Sequence, residues 1–250
     1  PQQMFGALAK TYYAEKTGID VKNIVSVSIM PCTAKKAEAV RPEFAANGVQ
    51  DVDYVLTTRE LGRMIKESGI DFAALPAEEY DAPFGISTGA GVIFGSSGGV
   101  MEAALRTVAE VVTGKTLESI DFKEVRGLAG IKEAAVPIGD LTVKIAVANT
   151  LSNARIMMDK IRAGEADYQF IEIMACPGGC IGGGGQPVPV CEETRLNRIA
   201  AIYECDQGSQ LRKSHENPAI KELYDTWLGK PLGEKSHHLL HTHYKAQNRC

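Results

Sequence analysis

Hydrophobic positions near the start of the chain switch between the periods of helices and strands. Apolar spacing predicts a helix at residues 3–16, and alternation of apolar residues with serine predicts a strand at residues 25–30. Residues 51–56 predict a second strand. Thr57 and Glu60 follow it with the spacing of a capping box, so we expect a helix to begin there.

The rest of the chain continues to alternate between these two periods. A glycine-rich segment, residues 82–99, comes first and permits close approach of the backbone to a neighbour. The elements expected after it are a helix at 100–112, a strand at 141–147, a helix at 151–161, a strand at 169–173, and helices at 196–203 and from 218. This alternation is typical of an α/β fold, in which ligands bind beyond the carboxyl ends of strands.

Composition excludes several classes of protein. The chain has 250 residues, of which 44% are hydrophobic and 23% are charged, as in a soluble globular protein with one large domain or two lobes. A net charge of −4 gives no indication of a nucleic-acid partner. Apolar stretches such as residues 23–30 are too short to span a membrane, and no secretion signal is recognisable. We expect a cytoplasmic protein without a membrane span.

Six cysteines in a chain of this length are too few for a disulfide scaffold and indicate metal or redox chemistry. Cys176 and Cys180 form a C-x3-C pair, and Cys32 follows a predicted strand. The remaining three lie in ordinary surroundings, where we expect structural or exposed residues: Cys191, Cys205 and Cys250.

Four consecutive glycines, residues 182–185, begin two positions after Cys180. Thiolates are the usual protein ligands of iron-sulfur clusters, and glycines leave room for the inorganic body. The alternative is a pair of buried thiols beside a flexible loop. Spacing alone leaves both interpretations open.

The second candidate loop contains Pro31, Cys32 and, three residues further on, Lys35. A lysine ammonium close to a metal centre donates hydrogen bonds to anionic ligands and tunes the centre. The alternative is a small core cysteine beside a solvated lysine.

Together these two loops resemble two of the three signature motifs of the [FeFe]-hydrogenases, the iron-only hydrogenases. Residues 30–38 match M-P-C-x-x-K-x-x-E, and residues 170–187 match F-x-E-x-M-x-C-x-x-G-C-x-x-G-G-G-Q-P at every fixed position. The similarity extends to residues 1–6, 84–95 and 236–244, and therefore covers essentially the whole chain.

The resemblance implies an α/β, two-lobed catalytic domain with mixed β-sheets flanked by helices. Because the chain begins at Pro1 and enters a predicted helix at once, we expect residues 1–250 to be a partial catalytic domain whose N-terminal part is missing. The segment from about 190 to 250 resembles the small subunit of iron hydrogenases.

By the same resemblance, Cys32, Cys176 and Cys180 bind a [4Fe-4S] cube. The sulfur of Cys180 also bridges to a di-iron unit that carries carbon monoxide, cyanide and a dithiolate, and the whole forms the H-cluster. Lys35 is expected to donate to a cyanide. Five further residues are expected to wall the di-iron pocket: Gln2, Met30, Pro31, Phe94 and Met174. Glu38 and Glu172 match the motifs without an assigned role. The fourth cube ligand and a proton-relay cysteine belong to an upstream T-S-C-C-P motif that this sequence lacks.

The function implied is the reversible oxidation of dihydrogen to protons and electrons in anaerobic hydrogen metabolism. The expected partners are ferredoxin or other electron-transfer subunits, together with maturation proteins for the di-iron unit, and we expect the fragment alone to be inactive. A competing hypothesis is a non-catalytic relative that assembles clusters or senses hydrogen or redox state, and a third is a plain redox carrier. Lys35, Met174 and residues 183–187 favour the hydrogenase.

Two other patterns in the sequence are weaker indications of function. Gly89, Gly91 and Gly95 do not have the spacing of a nucleotide-binding loop. His237 and His241 have the helical spacing of a metal-binding pair, but we expect the four histidines from 237 to 243 to lie on the surface of the last helix.

Overall fold

A computed structural model describes residues 1–45 and 47–244. By its internal contacts the chain divides into two units. The first consists of residues 1–85 and the segment that begins at Pro218, and the second is Ile86–Asn217. Within the described residues, no helix combines the length and the apolar character needed to cross a membrane.

The first unit opens with the predicted helix. It runs as α1 (Gln2–Leu8), a π-helical stretch (Ala9–Tyr13) and α2 (Ala14–Thr17), and Gly18 ends it in the left-handed conformation with φ of 68°. The remaining elements described in this unit are β1 (Val27–Met30), α3 (Ala34–Ala39), β2 (Tyr54–Thr57), α4 (Thr58–Glu67), α9 (Pro218–Leu223), a π-helical stretch (Tyr224–Leu228) and α10 (Glu234–Leu240), with short 3-10 turns at Val21–Asn23 and Phe72–Ala74.

β1 and β2 pair in parallel, with Val27 opposite Tyr54 and Met30 opposite Thr57. Both strands begin later than expected, because the Asp53 carboxylate accepts a hydrogen bond from the amide of Ser26 and so replaces regular pairing at that point. The capping box at the end of β2 is confirmed: the Glu60 amide donates to Thr57 Oγ1 at 3.2 Å, and the Thr57 amide donates to Glu60 at 2.7 Å.

The second unit contains the mixed sheet expected for the fold. Its elements are α5 (Gly89–Val92), α6 (Gly99–Thr113), β3 (Ile131–Ile138), β4 (Leu141–Asn149), α7 (Leu151–Arg162), β5 (Phe170–Met174) and α8 (Glu192–Gly208), with short 3-10 turns between them. The strand order is β3-β4-β5, in which β3 and β4 are antiparallel and β4 and β5 are parallel.

The two faces of β4 bury different helices. Ile145 and Val147 belong to a core cluster with Met101 and Leu105 of α6. Ala146 and Ala148, which point the other way, pack with Met157 of α7. This central strand is therefore covered on both faces, as is typical of parallel α/β sheets.

β3 was not predicted from the sequence, because its apolar alternation is interrupted by Lys132, Glu133 and Pro137. A proline is tolerated there since β3 is an edge strand. The signal that could have revealed the hairpin is Gly139-Asp140, a two-residue turn between Ile138 and Leu141, which pair with each other.

A buried group of charges joins α6 to α8. Glu102, Arg106 and Asp206 are each 0% exposed. Arg106 donates to both Asp206 oxygens at 2.7 and 2.9 Å and to Glu102 at 2.8 Å, and Arg126 also donates to Glu102. Removal of one partner from such a group typically costs roughly 3–5 kcal/mol, because a buried charge is left without compensation.

Candidate metal centre

The C-x3-C pair lies directly beyond the carboxyl end of β5. That strand ends at Met174, and Cys176 and Cys180 follow in a tight turn, which we call the 176–180 turn. β4 lies beside β5 in parallel and ends at Asn149. The cysteines therefore occupy the sheet edge at which α/β proteins bind ligands.

Gly178, in the middle of the turn, is held at both of its backbone polar atoms. Its amide donates to the Asn149 side chain at 3.1 Å, and its carbonyl accepts from the Ser97 amide at 2.9 Å. Two other parts of the second unit therefore fix the backbone between the two cysteines.

Gly179 must be glycine at its position. Its φ of 94° disfavours other residues, and a Cβ there would lie 2.5 Å from the Ser97 nitrogen and 2.9 Å from the Met174 sulfur. The turn thus packs directly on Ser97 and Met174, which leaves no space for a side chain.

The backbone is strained at Thr150, directly after the end of β4. Asn149 donates to the Ala129 carbonyl at 2.8 Å, and the next residue, Thr150, takes φ of 73°, a conformation that costs a β-branched residue energy. The Thr150 amide donates to the Met174 carbonyl at 2.8 Å. This strained corner connects the end of β4 to the residue before the turn.

Glu172, a motif residue on β5, binds the N-terminus of α6. Its carboxylate accepts from the amides of Gly98 at 2.6 Å and Met101 at 2.8 Å. The side chain is buried, and desolvation raises the pKa of Glu172 above its usual value despite these amide donors. Glu172 therefore has a structural contact: it ties the glycine-rich segment to the strand that leads into the turn.

Arg198 of α8 holds the glycine run on the other side of the turn. Its guanidinium donates to the carbonyls of Ile181 at 2.8 Å and Pro187 at 3.0 Å. These two residues bracket the four glycines, so α8 fixes both ends of a segment that has no side chains of its own.

The donor set of the turn fits an iron-sulfur cluster. Neither cysteine of the turn is in a disulfide, and Cys180 is exposed while Cys176 is half-buried. Thiolates on a turn with a rigid backbone, beside glycines that offer no bulk, are the arrangement that a cluster requires.

In the first unit, Cys32 follows the carboxyl end of β1. Met30 packs against a small core of Ala39, Val52 and Val55, which fixes the end of the strand. α3 then begins at Ala34. The half-buried thiol of Cys32 is thus placed between a strand and a helix, as the sequence predicts.

Lys35 and Glu38, one turn apart on α3, form an ion pair of 2.5 Å in which each side chain is about one quarter exposed. Both line a cavity of about 310 Å³ within this unit. Gln2, which is buried, accepts from the Ser28 hydroxyl at 2.8 Å and lies against the Lys35 backbone. The sequence did not assign a role to Glu38; the structure makes it the partner of the Lys35 ammonium.

The structure divides the predicted site residues between the units. Five lie in the first: Gln2, Met30, Pro31, Cys32 and Lys35. Four lie in the second: Phe94, Met174, Cys176 and Cys180. Phe94 is half-buried against a helical core that contains Ile93 and Tyr203. Convergence of the three cysteines on one cluster stays a prediction.

Sequence reasoning missed three residues that support the 176–180 turn. Asn149 and Ser97 bind Gly178 directly, and Lys132 donates to the Ser97 carbonyl at 2.9 Å. A polar residue at the end of the predicted strand 141–147 was a signal for Asn149, because strand ends are where such sites form. Ser97 and Lys132 gave no comparable signal.

The other described cysteines and the histidines near the C-terminus lie at exposed positions. Cys191 and Cys205 are exposed on the second unit, and Cys250 lies outside the described residues. The histidines at 237, 238, 241 and 243 are exposed.

A candidate group of metal ligands elsewhere in the described residues consists of Glu110, His215 and Glu216. The Lys213 ammonium lies 2.9 Å from Glu110 and 2.6 Å from Glu216, so a lysine already supplies the positive charge there.

Comparison with known proteins decides the family. The model for the C-terminal domain of the iron-only hydrogenase large subunit matches residues 1–184. The chain belongs to the iron-only hydrogenase family. A second model, for the iron hydrogenase small subunit, matches residues 192–247.

Relatives within and beyond the hydrogenases are similar over nearly the whole chain. The NADP-reducing hydrogenase subunit HndD of Solidesulfovibrio fructosivorans is 57% identical over 100% of the chain, which spans only 43% of that subunit. A solved structure of a variant of [FeFe]-hydrogenase HydA1 from Chlamydomonas reinhardtii is 48% identical with a TM-score of 0.82, covering 98% of this chain and 68% of that one. Protein NAR1 of Arabidopsis thaliana is 33% identical over 98% of this chain and 55% of its own length.

Proposed function

We propose that this chain is the cluster-holding part of a hydrogenase catalytic subunit, and that the complete protein catalyses the reversible oxidation of dihydrogen. The observation that carries the proposal is the 176–180 turn, in which Ser97 and Asn149 bind the backbone of Gly178, between two cysteines that form no disulfide. Its residues match the hydrogenase motif at every fixed position.

In this proposal Cys32, Cys176 and Cys180 would supply three of the four thiolate ligands of a [4Fe-4S] cube, and Cys180 would also hold a di-iron unit with carbon monoxide, cyanide and a dithiolate. When bound, this H-cluster supplies the chemistry that splits or forms dihydrogen. The fourth cube ligand comes from a part of the catalytic subunit that this chain does not contain.

The chain's own residues then position and shield the cluster. Lys35 would donate a hydrogen bond to an anionic ligand of the di-iron unit, and Glu38 would hold the ammonium in place through their 2.5 Å ion pair. By the resemblance to the hydrogenase motifs, Gln2, Met30, Pro31, Phe94 and Met174 would wall the di-iron unit and exclude water from it. Electrons leave to ferredoxin or to another electron-transfer subunit, and maturation proteins install the di-iron unit.

A second candidate function is cluster assembly without catalysis, because Protein NAR1 is also similar over most of the chain. The greater identity to a hydrogenase subunit favours catalysis, as does the paired Lys35–Glu38 beside Cys32. A protein that carries only a cube has no need for a cation that reaches beyond it.

The test is infrared spectroscopy of the complete protein after anaerobic maturation, combined with electron paramagnetic resonance of the reduced protein. We expect bands of metal-bound carbon monoxide and cyanide, together with the signal of a reduced cube. A cube signal without those bands would assign the protein to cluster assembly, sensing or plain electron transfer. Absence of both would refute the site itself.

A further inference from the structure

Lys132 is a buried lysine whose hydrogen-bond acceptors are all neutral oxygens. Only 9% of the residue is exposed, although it lies on the edge strand β3. Its ammonium donates to the Ser97 carbonyl at 2.9 Å, to the Gly127 carbonyl at 3.0 Å and to the Ser97 hydroxyl at 3.4 Å. Burial of a charge without a directly bonded counterion is costly, so this position calls for a reason beyond packing.

Ser97 connects this ammonium to the 176–180 turn. The carbonyl of Ser97 accepts from Lys132, and the amide of the same residue donates to the Gly178 carbonyl at 2.9 Å. One buried residue therefore separates the lysine charge from the backbone between the two cysteines. The exposed fraction of Ser97 is 1%, so water does not screen this connection.

A fixed positive charge near an iron-sulfur cluster favours its reduced form. Reduction adds one negative charge to the cluster, and its attraction to a nearby cation lowers the energy of the reduced state, most strongly where water is excluded. Net charge and hydrogen bonding around the cluster are known to set its reduction potential.

We propose that Lys132 is a positioning and tuning residue for the cube: its ammonium fixes Ser97 against the 176–180 turn, and its charge raises the reduction potential of the cluster. This inference rests on the proposed iron-sulfur site. It adds a residue that lies outside both cysteine motifs and belongs to a strand that the sequence did not reveal.

The protonation state of Lys132 should make the reduction potential of the cube depend on pH. Desolvation lowers the pKa of Lys132 to about 8, and the charge of Glu172 on β5 opposes that shift. The groups that face the ammonium from the glycine-rich segment and from residue 127 are carbonyls and a hydroxyl, which do not titrate here. Desolvation also raises the pKa of Glu172, so this carboxyl group on β5 is the second titratable group that acts on the ammonium.

The experiment is a redox titration of the cube in the complete enzyme before insertion of the di-iron unit, followed by electron paramagnetic resonance. In Lys132→Met we expect the ratio of reduced to oxidised cube at a fixed potential to fall about tenfold, which for one electron is 59 mV. Lys132→Arg keeps the charge and should keep the potential. Lys144→Met removes a half-exposed lysine from the neighbouring strand and should change nothing.

Equal potentials in the wild type and Lys132→Met would overturn the proposal, and so would a shift in Lys132→Arg as large as that in Lys132→Met. If Lys132→Met fails to bind a cube, the pH dependence decides. The wild-type potential should fall above about pH 8, because reduction then takes up a proton, whereas Lys132→Arg should stay flat. A flat wild-type profile up to pH 10 would refute the tuning role. A wild type without any cube would instead refute the proposed function.

Discussion

The two cysteine loops are supported to different degrees by the units that carry them. In the 176–180 turn, Gly178 is bonded through both backbone polar atoms to distant residues, and Arg198 brackets the glycines that follow. Around Cys32, the contacts include the packing of Met30, its pairing with Thr57 in the sheet and the hydrogen bond from Gln2 to the Lys35 carbonyl. A site that must hold a rigid cofactor benefits from a preorganised backbone. Among the described contacts, the backbone of the 176–180 turn is the more firmly held of the two loops. We therefore expect changes in the 176–180 turn to lower iron content more than changes near Cys32.

Loss of a ligand should have the largest effect. Cys180→Ser in the complete enzyme should abolish hydrogen turnover, because the thiolate proposed to hold both the cube and the di-iron unit is lost. Turnover measured with a hydrogen electrode checks this. Cys205→Ser, which alters an exposed cysteine on α8, should leave turnover nearly intact. The reverse result would show the ligand assignment to be wrong.

Next in size is Gly179→Ala, which should lower the free energy of unfolding by roughly 3 kcal/mol and reduce iron content, through backbone strain and the clash with Ser97. Denaturant titration and iron analysis measure both effects. Gly164→Ala is the matched control, since Gly164 also has positive φ but no neighbour within 4 Å of the added carbon. Equal losses in the two variants would mean that contact with Ser97 has no importance.

Asn149→Ala tests the difference between the loops directly. Loss of its hydrogen bonds to Gly178 and Ala129 should cost roughly 2 kcal/mol and lower the iron content, because a buried amide is left unpaired. Gln2→Ala, the corresponding change beside Cys32, should lower iron content less. A larger loss from Gln2→Ala would reverse our ranking of the loops.

Lys35→Arg should reduce turnover about tenfold, equivalent to about 1.4 kcal/mol, without loss of the cube. A planar guanidinium cannot reproduce the compact ammonium donor that Glu38 holds. Turnover and the cube signal are measured on the same sample. Unchanged turnover would remove Lys35 from the proposed pocket.

The smallest effect concerns the first unit away from the cysteines. Lys36 and the Thr57 amide and hydroxyl hold the pKa of Glu60 at about 2, below its usual value of 4.5. This carboxylate therefore stabilises the fold above about pH 4.5, and the contribution is lost as pH falls toward 2. Glu60→Gln should remove that part of the pH dependence of unfolding, as followed by circular dichroism. An unchanged acid profile would show that the capping box contributes nothing measurable.

The family and the α/β fold were predicted from the sequence and are confirmed. β4 and β5 were recognisable because their buried residues keep a clear period. The positions of Cys32 and Cys176 just beyond strands were predicted from the expected ends of those strands. β3 was missed because an edge strand tolerates Lys132 and Pro137. The Asp53 carboxylate that shortens β1 lies 27 residues from its partner, and local periodicity does not report such a bond.

The bonds that support the 176–180 turn were missed for the same reason, although the position of Asn149 just beyond a predicted strand was a signal. Asn149 lies 29 residues from Gly178, and Lys132 lies 35 residues from Ser97. The motif located the cysteines and the glycines, but it contained neither of these supporting residues. The ligand roles, the extent of the domain and the cytoplasmic location stay predictions.

The ions between α6 and α8 have a consequence for any relative that is made as two polypeptides. Arg106 lies within the large-subunit match and Asp206 within the small-subunit match, so a nick between residues 184 and 192 would separate the two partners of a fully buried pair. In each piece alone, a charge of the buried pair would lack its counterion, which is energetically costly. The two pieces would therefore form an obligate heterodimer. Each would be unstable without the other, because each supplies the counterion for the other's buried charge.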